Sequence, residues 1–326
     1  MMQRLIIACC AFASIAFMLV GCIEYELPVE ARPAGEAEVH TASIGDSYEQ
    51  RIFYSLVDRA IVASHSKMDW CLRLEPRQDG VDAVLNSSRT MRLARTGLTA
   101  FRADWSADEV DVLPWRLDAP NGFPADSADR VLQMGEVVLI NLGYGLENDL
   151  LGQCQVQLVA MDAEGCELRM ANLDGTAEAI VAISWNPDGP HGYVSLLDLA
   201  ARDLEPPSET WELLLTQYSE LLEGDFPYQV TGILTPSQRV TVRDYSDLSW
   251  DDALARDWSQ DEFTADWNAI GYDWKYFDLN EGVYSMDPNR IFGVRTTEGR
   301  EFQLRILDFY DEIGNKGHFV MESVER

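Results

Sequence analysis

The sequence predicts a mainly β protein, made of antiparallel sheets in a sandwich-like arrangement with a few short helices. Three observations lead there. Runs of five to eleven residues with apolar side chains at every second position recur along the chain. Gly or acidic-Gly pairs punctuate them. Helix signatures are few, and only one segment carries a clear one.

The first element is a leader rather than fold. Residues 1–21 hold one cation, Arg4, and then an uninterrupted apolar and small-residue run, the layout of a secretory signal. The run ends in Leu19-Val20-Gly21-Cys22, a bacterial lipobox, so Cys22 is the expected site of lipid attachment. At ~0.8 kcal/mol per buried methylene, its acyl chains would hold a water-soluble domain firmly to a bilayer. Ile23, where an inner-membrane retention signal would place Asp, directs the expectation to the outer membrane and leaves the periplasmic or cell-surface side open. Residues 22–40 mix Pro, Ala, Gly and Glu without a period, as an acidic tether would. Residues 41–326 are long enough for one large β body or two related halves, 41–180 and 181–326.

Strand-like runs then follow in order: QRIFYSL (50–56), WCLRL (70–74), EVVLINL (136–142), CQVQLVAM (154–161) and CELRMANL (166–173). Later come WELLLTQY (211–218), YQVTGIL (228–234), RVTVRDY (239–245), RIFGVRT (290–296) and REFQLRILDFY (300–310). DRAIVAS (58–64) reads equally as a strand or a turn of helix. SWDDALARDW (249–258) is the helix, with Ser249 as N-cap and Asp251 and Asp252 in the first turn, where the helix dipole favours anions. Two correspondences suggest a doubled plan. Trp70 and Trp211 each open a strand whose second and fourth following residues are expected to share the Trp's face toward a core. Residues 156–174 and 291–309 are both hairpins turning at an acidic-Gly pair, Glu164-Gly165 and Glu298-Gly299.

With 55 acidic against 25 basic residues and a formal charge of −30, the chain is a poor partner for nucleic acid, whose phosphates are held by Lys and Arg. The folded part keeps Cys71, Cys154 and Cys166, an odd number without metal-ligand spacing. They read as buried thiols, with one disulfide as the alternative in an oxidising compartment. A tight turn over residues 161–165 would set Cys166 opposite Met161 rather than Cys154. A Ser-His-Asp or Cys-His site is not in view: there are four His, no G-x-S-x-G elbow, and Cys71 sits inside a strand. Glycosidase chemistry needs two carboxylates, but 55 acids make chance pairs certain, so their number says nothing. Asp244, Asp247, Asp251 and Asp252 lack the ordered spacing and glycine of a calcium loop and read as helix caps and solvated charge. No P-loop, dinucleotide fingerprint or H-E-x-x-H helix occurs. The expectation is a non-enzyme. Trp267, Tyr272, Trp274, Tyr276 and Phe277 form the densest aromatic cluster, suited to a sheet face or to a ring-binding pocket.

The segment TWELLLTQYSELLEGDFPYQVTGIL (210–234) resembles the Trp-acid-aliphatic strand and the Tyr-x-Val-Thr-Gly-Val/Ile-Leu strand of HmuY-like proteins, outer-membrane haem-binding lipoproteins. IGDSYEQRIFYSL (44–56), DWCLRL (69–74), LNSSRTMRLARTG (85–97) and LRMANLDGT (168–176) resemble that family's earlier motifs, and IGYDWKYFD (270–278) and residues 291–323 its closing strands. The resemblance implies a mainly β fold without catalysis. It also implies haem held in a cleft by two His or two Met, with no other metal, and hand-over to a TonB-dependent outer-membrane receptor. At the ligand position after the Trp strand, however, stand Thr216 and Gln217, and in the other half Glu75 and Pro76, which are poor partners for haem iron. Candidate ligands are therefore His65, His191, His318 and Met286, beside Met68, Met134, Met161 and Met321. The candidate pocket is Trp211, Thr216, Tyr218, Tyr272 and Trp274. The alternative is the same fold without haem, binding a glycan or a protein partner through residues 267–277. A carbohydrate-active enzyme is the remaining reading.

Overall fold

The computed structural model describes residues 37–123, 130–185, 191–222 and 226–326. The signal, the lipobox with Cys22 and the tether as far as residue 36 lie outside the described residues. In chain order the elements are β1 (Glu38–Ser43), β2 (Gln50–Ser55), β3 (Ala60–Ser66), β4 (Leu72–Arg77), β5 (Gly80–Leu85) and β6 (Arg92–Leu98). Helix α1 (Ala107–Asp111), β7 (Val131–Leu132), β8 (Val137–Asn141), β9 (Gln153–Met161) and β10 (Gly165–Asn172) follow. Next are β11 (Ala179–Ser184), β12 (Gly192–Ser195), β13 (Ala200–Arg202), β14 (Leu213–Leu222), β15 (Phe226–Leu234) and β16 (Val240–Asp244). The chain closes with α2 (Trp250–Ala255), β17 (Lys275–Asp278), β18 (Val283–Met286), β19 (Phe292–Thr296), β20 (Glu301–Tyr310) and β21 (Lys316–Glu325). Every strand ladder is antiparallel, so the mainly β, antiparallel expectation holds.

The strands form two sandwiches. Sandwich I has an inner sheet β13-β12-β4-β5-β7 and an outer sheet β11-β10-β9-β8-β6; sandwich II has an inner sheet β15-β14-β2-β3 and an outer sheet β1-β21-β20-β19-β16. Each encloses its own core: Leu72, Leu74, Val138, Val156 and Leu168 in the first, Ile52, Leu213, Leu215, Leu304 and Phe319 in the second. The inner sheets bury both faces. On β14, Leu213 and Leu215 enter the core of sandwich II, while Leu214 and Tyr218 join a separate cluster on the opposite face with Phe53 and Trp211. That opposite face looks toward sandwich I: Phe53, Leu214 and Leu234 line one cleft with Arg73 and Arg77 of β4. The alternate residues further along the β14-β15 pair also reach sandwich I, Ser219 Oγ donating to Ser87 O and Gln229 Nε2 to Ser88 O, each at 2.7 Å.

The doubled plan takes an unexpected form. Read strand by strand, β13-β12-β4-β5 corresponds to β3-β2-β14-β15, and β11-β10-β9-β8-β6 to β1-β21-β20-β19-β16. The chain is thus two tandem repeats, β1–β10 and β11–β21, that exchange their first three strands. β1 pairs with β21 and β2 with β14, whereas β11 pairs with β10 and β12 with β4. The repeats join between β10 and β11, whereas each sandwich draws strands from both. The sequence echoes this in Ser55-Leu56-Val57-Asp58-Arg59-Ala60 and Ser195-Leu196-Leu197-Asp198-Leu199-Ala200. The matched turn residues Arg59 and Leu199 both adopt positive φ, 56° and 59°.

Several expectations need correcting. β1 starts at Glu38, inside the segment read as tether, because its backbone completes the edge of β21. The matched hairpins were one strand out of step: β9-β10 corresponds to β20-β21, not β19-β20, since acidic-Gly turns recur at both places. Trp70 and Trp211 do not share a face with the leucines two residues on. A bend at Cys71 and Glu212 precedes each strand, which turns both indoles out of the sandwich cores. DRAIVAS resolves as strand β3. α2 is capped by Ser249 as expected, and α1, which the periodicity did not single out, starts with a capping box from Ser106 and Glu109. Cys166 faces Met161 in the ladder, and all three cysteines are buried free thiols.

Candidate functional site

Because the inner sheets face one another, their outward residues line a cleft of about 470 Å³, the size of a small-ligand site. Sheet alternation determines what it displays. From sandwich II, β2 contributes Arg51 and Phe53, between the core residues Ile52 and Tyr54; from sandwich I, β4 contributes Arg73, Glu75 and Arg77, between Leu72 and Leu74 and beyond. Trp211 and Trp267 add ring faces.

The two displaced tryptophans hold equivalent aromatic pairs. Phe53 meets Trp211 edge-on at 4.8 Å between centroids, and Tyr193 meets Trp70 edge-on at 5.4 Å. Phe53 and Tyr193 each precede the shared Ser-Leu-x-Asp-x-Ala turn by two residues, so the pairs are related by the repeat. Arg51 bridges them, its guanidinium 4.7 Å from the Trp70 ring and 5.5 Å from Phe53. Arg73 lies 4.4 Å over Trp267 and donates to Glu75 at 3.0 Å.

Charge in the cleft departs from the rest of the chain. Among the described residues, five arginines, Arg51, Arg73, Arg77, Arg130 and Arg239, meet five carboxylates in the lining, against 25 basic and 55 acidic residues overall. Most are paired. Arg77 and Arg130 both reach the buried Asp82, at 2.7 and 2.5 Å, and hold its carboxyl below the usual range despite burial that pushes the other way. Behind them, burial raises Asp118 to about 6, against the pull of Arg130 at 3.3 Å.

The candidate haem ligands do not converge. Among the described residues His191 is the one His in the lining and no Met is there; its ring nitrogens lie 3.3 Å from Glu75 and 3.9 Å from Glu205. His65 sits on β3 opposite Arg51, its Nδ1 bonded to Ser66 O at 2.9 Å and its pKa pushed down to about 4 by burial first and Arg51 second. His318 is half-buried on β21 and Met286 is in the core of sandwich II. Met321 is also core, Met134 is exposed, and Met68 and Met161 are half-buried. No two of these side chains line the cleft together. Paired axial ligation of a haem iron does not fit the residues present there.

The candidate pocket divides too. Trp211 lines the cleft and Thr216 a small annex beside it. Tyr218 and Tyr272 pack together in the neighbouring cluster, and Trp274 is wholly buried with its indole N–H on Gly271 O at 3.0 Å. The aromatic cluster at 267–277 is likewise not one face: Trp267 is in the cleft, Trp274 in the core, Tyr276 and Phe277 exposed on β17. The residues missed were Arg51, Arg73 and Arg130. The available signal was an arginine inside each of the apolar runs QRIFYSL and WCLRL.

No helix among the described residues is long and apolar enough to cross a membrane. Among solved structures, the chain is similar to a candidate HmuY-like haem-binding protein from Bacteroides vulgatus, at 12% identity and a TM-score of 0.25, over 41% of this chain and 83% of that one. It is also similar to apo PinO from Porphyromonas gingivitis, at 8% identity and a TM-score of 0.25, over 90% of this chain and 98% of that one. A candidate lipoprotein from Bacteroides fragilis gives 14% identity and a TM-score of 0.22, over 51% of this chain and 92% of that one. No family model and no curated protein matches the sequence.

Proposed function

We propose that the chain is a non-catalytic lipoprotein, anchored through Cys22 to the outer membrane, that takes a flat ring ligand into the cleft between its inner sheets. Haem or a related tetrapyrrole is the ligand class implied by the sequence resemblance, with an outer-membrane receptor as the recipient. The observation that carries the reading is the cleft itself, with Trp211 and Trp267 on its walls and five arginines in a chain of charge −30. Ring faces stack on indoles, and acidic substituents find cations there. Since the lining offers one imidazole and no thioether, the ring and its substituents carry the binding and the iron adds little.

The test is to titrate the detergent-solubilised chain with haemin and with metal-free protoporphyrin IX, following tryptophan fluorescence and the visible spectrum. The expected result is saturable binding of both at one per chain, with affinities within a few-fold. Binding of haemin alone, or of neither, overturns the reading. An acidic glycan is the second ligand class, favoured by the stacked Arg73 and Trp267.

A further inference from the structure

Three side chains that line the cleft, each more than nine-tenths buried, present a donor without a hydrogen-bond partner: Arg51 Nη1, Arg73 Nε and Trp211 Nε1. Buried polar groups are satisfied in the great majority of cases, so three unsatisfied atoms of one kind around one cleft form a pattern. All three donate and none accepts.

Arg51 is the most informative. Among the described residues it has no carboxylate within ion-pair distance, although the chain carries more than two acids for every base. The rings of Trp70 and Phe53 attract its charge, but a guanidinium withdrawn from water is not balanced by stacking alone. Arg51 stands on β2 and Arg73 on β4, the facing inner sheets; Arg51 lies 4.7 Å from the ring of Trp70, which meets Tyr193, the ladder partner of Arg73, at 5.4 Å. Trp211 joins through Phe53, which also contacts Arg51. The donors therefore come from both sandwiches onto a common floor.

Resting on the proposed role of the cleft in ligand binding, we infer that this floor is a carboxylate-binding subsite, with Arg51 as the charge partner and Arg73 Nε and Trp211 Nε1 as further donors. The ligand must carry a carboxylate on a ring small enough to enter, a description met by a tetrapyrrole propionate or by a uronic acid sugar. A planar guanidinium suits a carboxylate's two oxygens, whereas a neutral ring would leave the same donors unmet.

The experiment compares free acids with their methyl esters on the detergent-solubilised full chain: protoporphyrin IX against its dimethyl ester, and trigalacturonate against its methyl-esterified form. The expected result is at least ten-fold tighter binding of the free acid in one of the two series. Arg51→Met should reduce that preference to under two-fold, and Trp211→Phe, which keeps a ring and removes the N–H, should reduce it in part. Arg51→Met should retain or raise the melting temperature, which separates loss of binding from loss of fold. If acid and ester bind equally tightly in both series, the subsite is overturned while ligand binding in the cleft stands. If only the sugar series shows the preference, the subsite stands and the tetrapyrrole assignment falls. If neither acid binds, both are overturned.

Discussion

Arg89 and Arg239 hold the two repeats in the same way. Arg89 Nη1 donates to Trp70 O at 3.2 Å and lies 3.4 Å from Cys71 Sγ; Arg239 Nη1 donates to Trp211 O and to Glu212 Oε1, both at 2.8 Å. The residue after each tryptophan also accepts from an exchanged segment: Leu196 N on Cys71 Sγ at 3.2 Å, Leu56 N on Glu212 Oε2 at 2.8 Å. One repeat uses a cysteine sulfur where the other uses an ion pair.

That difference sets unequal effects. Arg239→Met leaves the fully buried Glu212 without its cation and should cost about 3–5 kcal/mol, as unpairing a buried charge does. Arg89→Met removes bonds to two carbonyls and a thiol and should cost about 1–3 kcal/mol. Urea unfolding midpoints measure both. Equal losses, or a larger one at Arg89, would contradict the charge argument.

Lys275 should make stability rise with alkali. It is buried with its Nζ on Thr231 O, and burial pushes its pKa down from 10.5 to about 7, with Asp273 pulling back. Between pH 7 and 10.5 the unfolded chain binds the proton and the folded chain does not, so folding gains as pH rises across that window. The upper bound is about 5 kcal/mol, reduced by the attraction of Trp274 at 4.2 Å and Phe309 at 4.8 Å. Lys275→Met should flatten this slope and stabilise the protein at pH 7. Parallel stability-pH curves for the two proteins would refute it.

Gly143 and Gly97 both have positive φ, 69° and 70°, but different surroundings. A Cβ on Gly143 would lie 1.9 Å from Arg89 O, while one on Gly97 meets nothing within 4 Å. Gly143→Ala should therefore cost roughly 2–4 kcal/mol, and Gly97→Ala only the left-handed penalty of about 1–2 kcal/mol. Thermal melts of the pair would show whether steric contact or backbone conformation dominates.

The exchanged strands predict how the chain comes apart. A protease site placed in the exposed link at 173–178, between the repeats, should allow cutting without separation, because β1–β3 and β11–β13 each belong to a sandwich made mostly from the other fragment. The halves should co-elute in native buffer and part only in denaturant. Separation without denaturant would mean that the exchange contributes little.

The sequence made the strands legible because period-two burial is local: CQVQLVAM, CELRMANL, WELLLTQY and YQVTGIL all lie on strands, and even the Cys166–Met161 pairing followed from one turn. The site was not legible. Arg51 and Arg73 look like the wet face of an ordinary strand, and only a second sheet from far along the chain buries them. His65 and His318 drew notice for their chemistry, yet the fold places them on separate strands away from the cleft lining. The repeat was half visible. Trp70 and Trp211 mark it correctly, but no periodicity reveals that each repeat lends its opening strands to the other.

Strand exchange also orders events in time. β1–β3 leave the ribosome before the other strands, yet their partner β14 comes only in the second repeat and β21 last of all. Until then β2 carries Ile52, Phe53 and Tyr54 with nothing to cover them, and both its edge and that of β1 remain open. Contacts spanning nearly the whole chain close slowly, and unpaired strands invite association with other molecules while they wait. The topology thus couples folding to completion of the second repeat, and yield should depend on how well the open amino-terminal strands are kept from association more than on final stability.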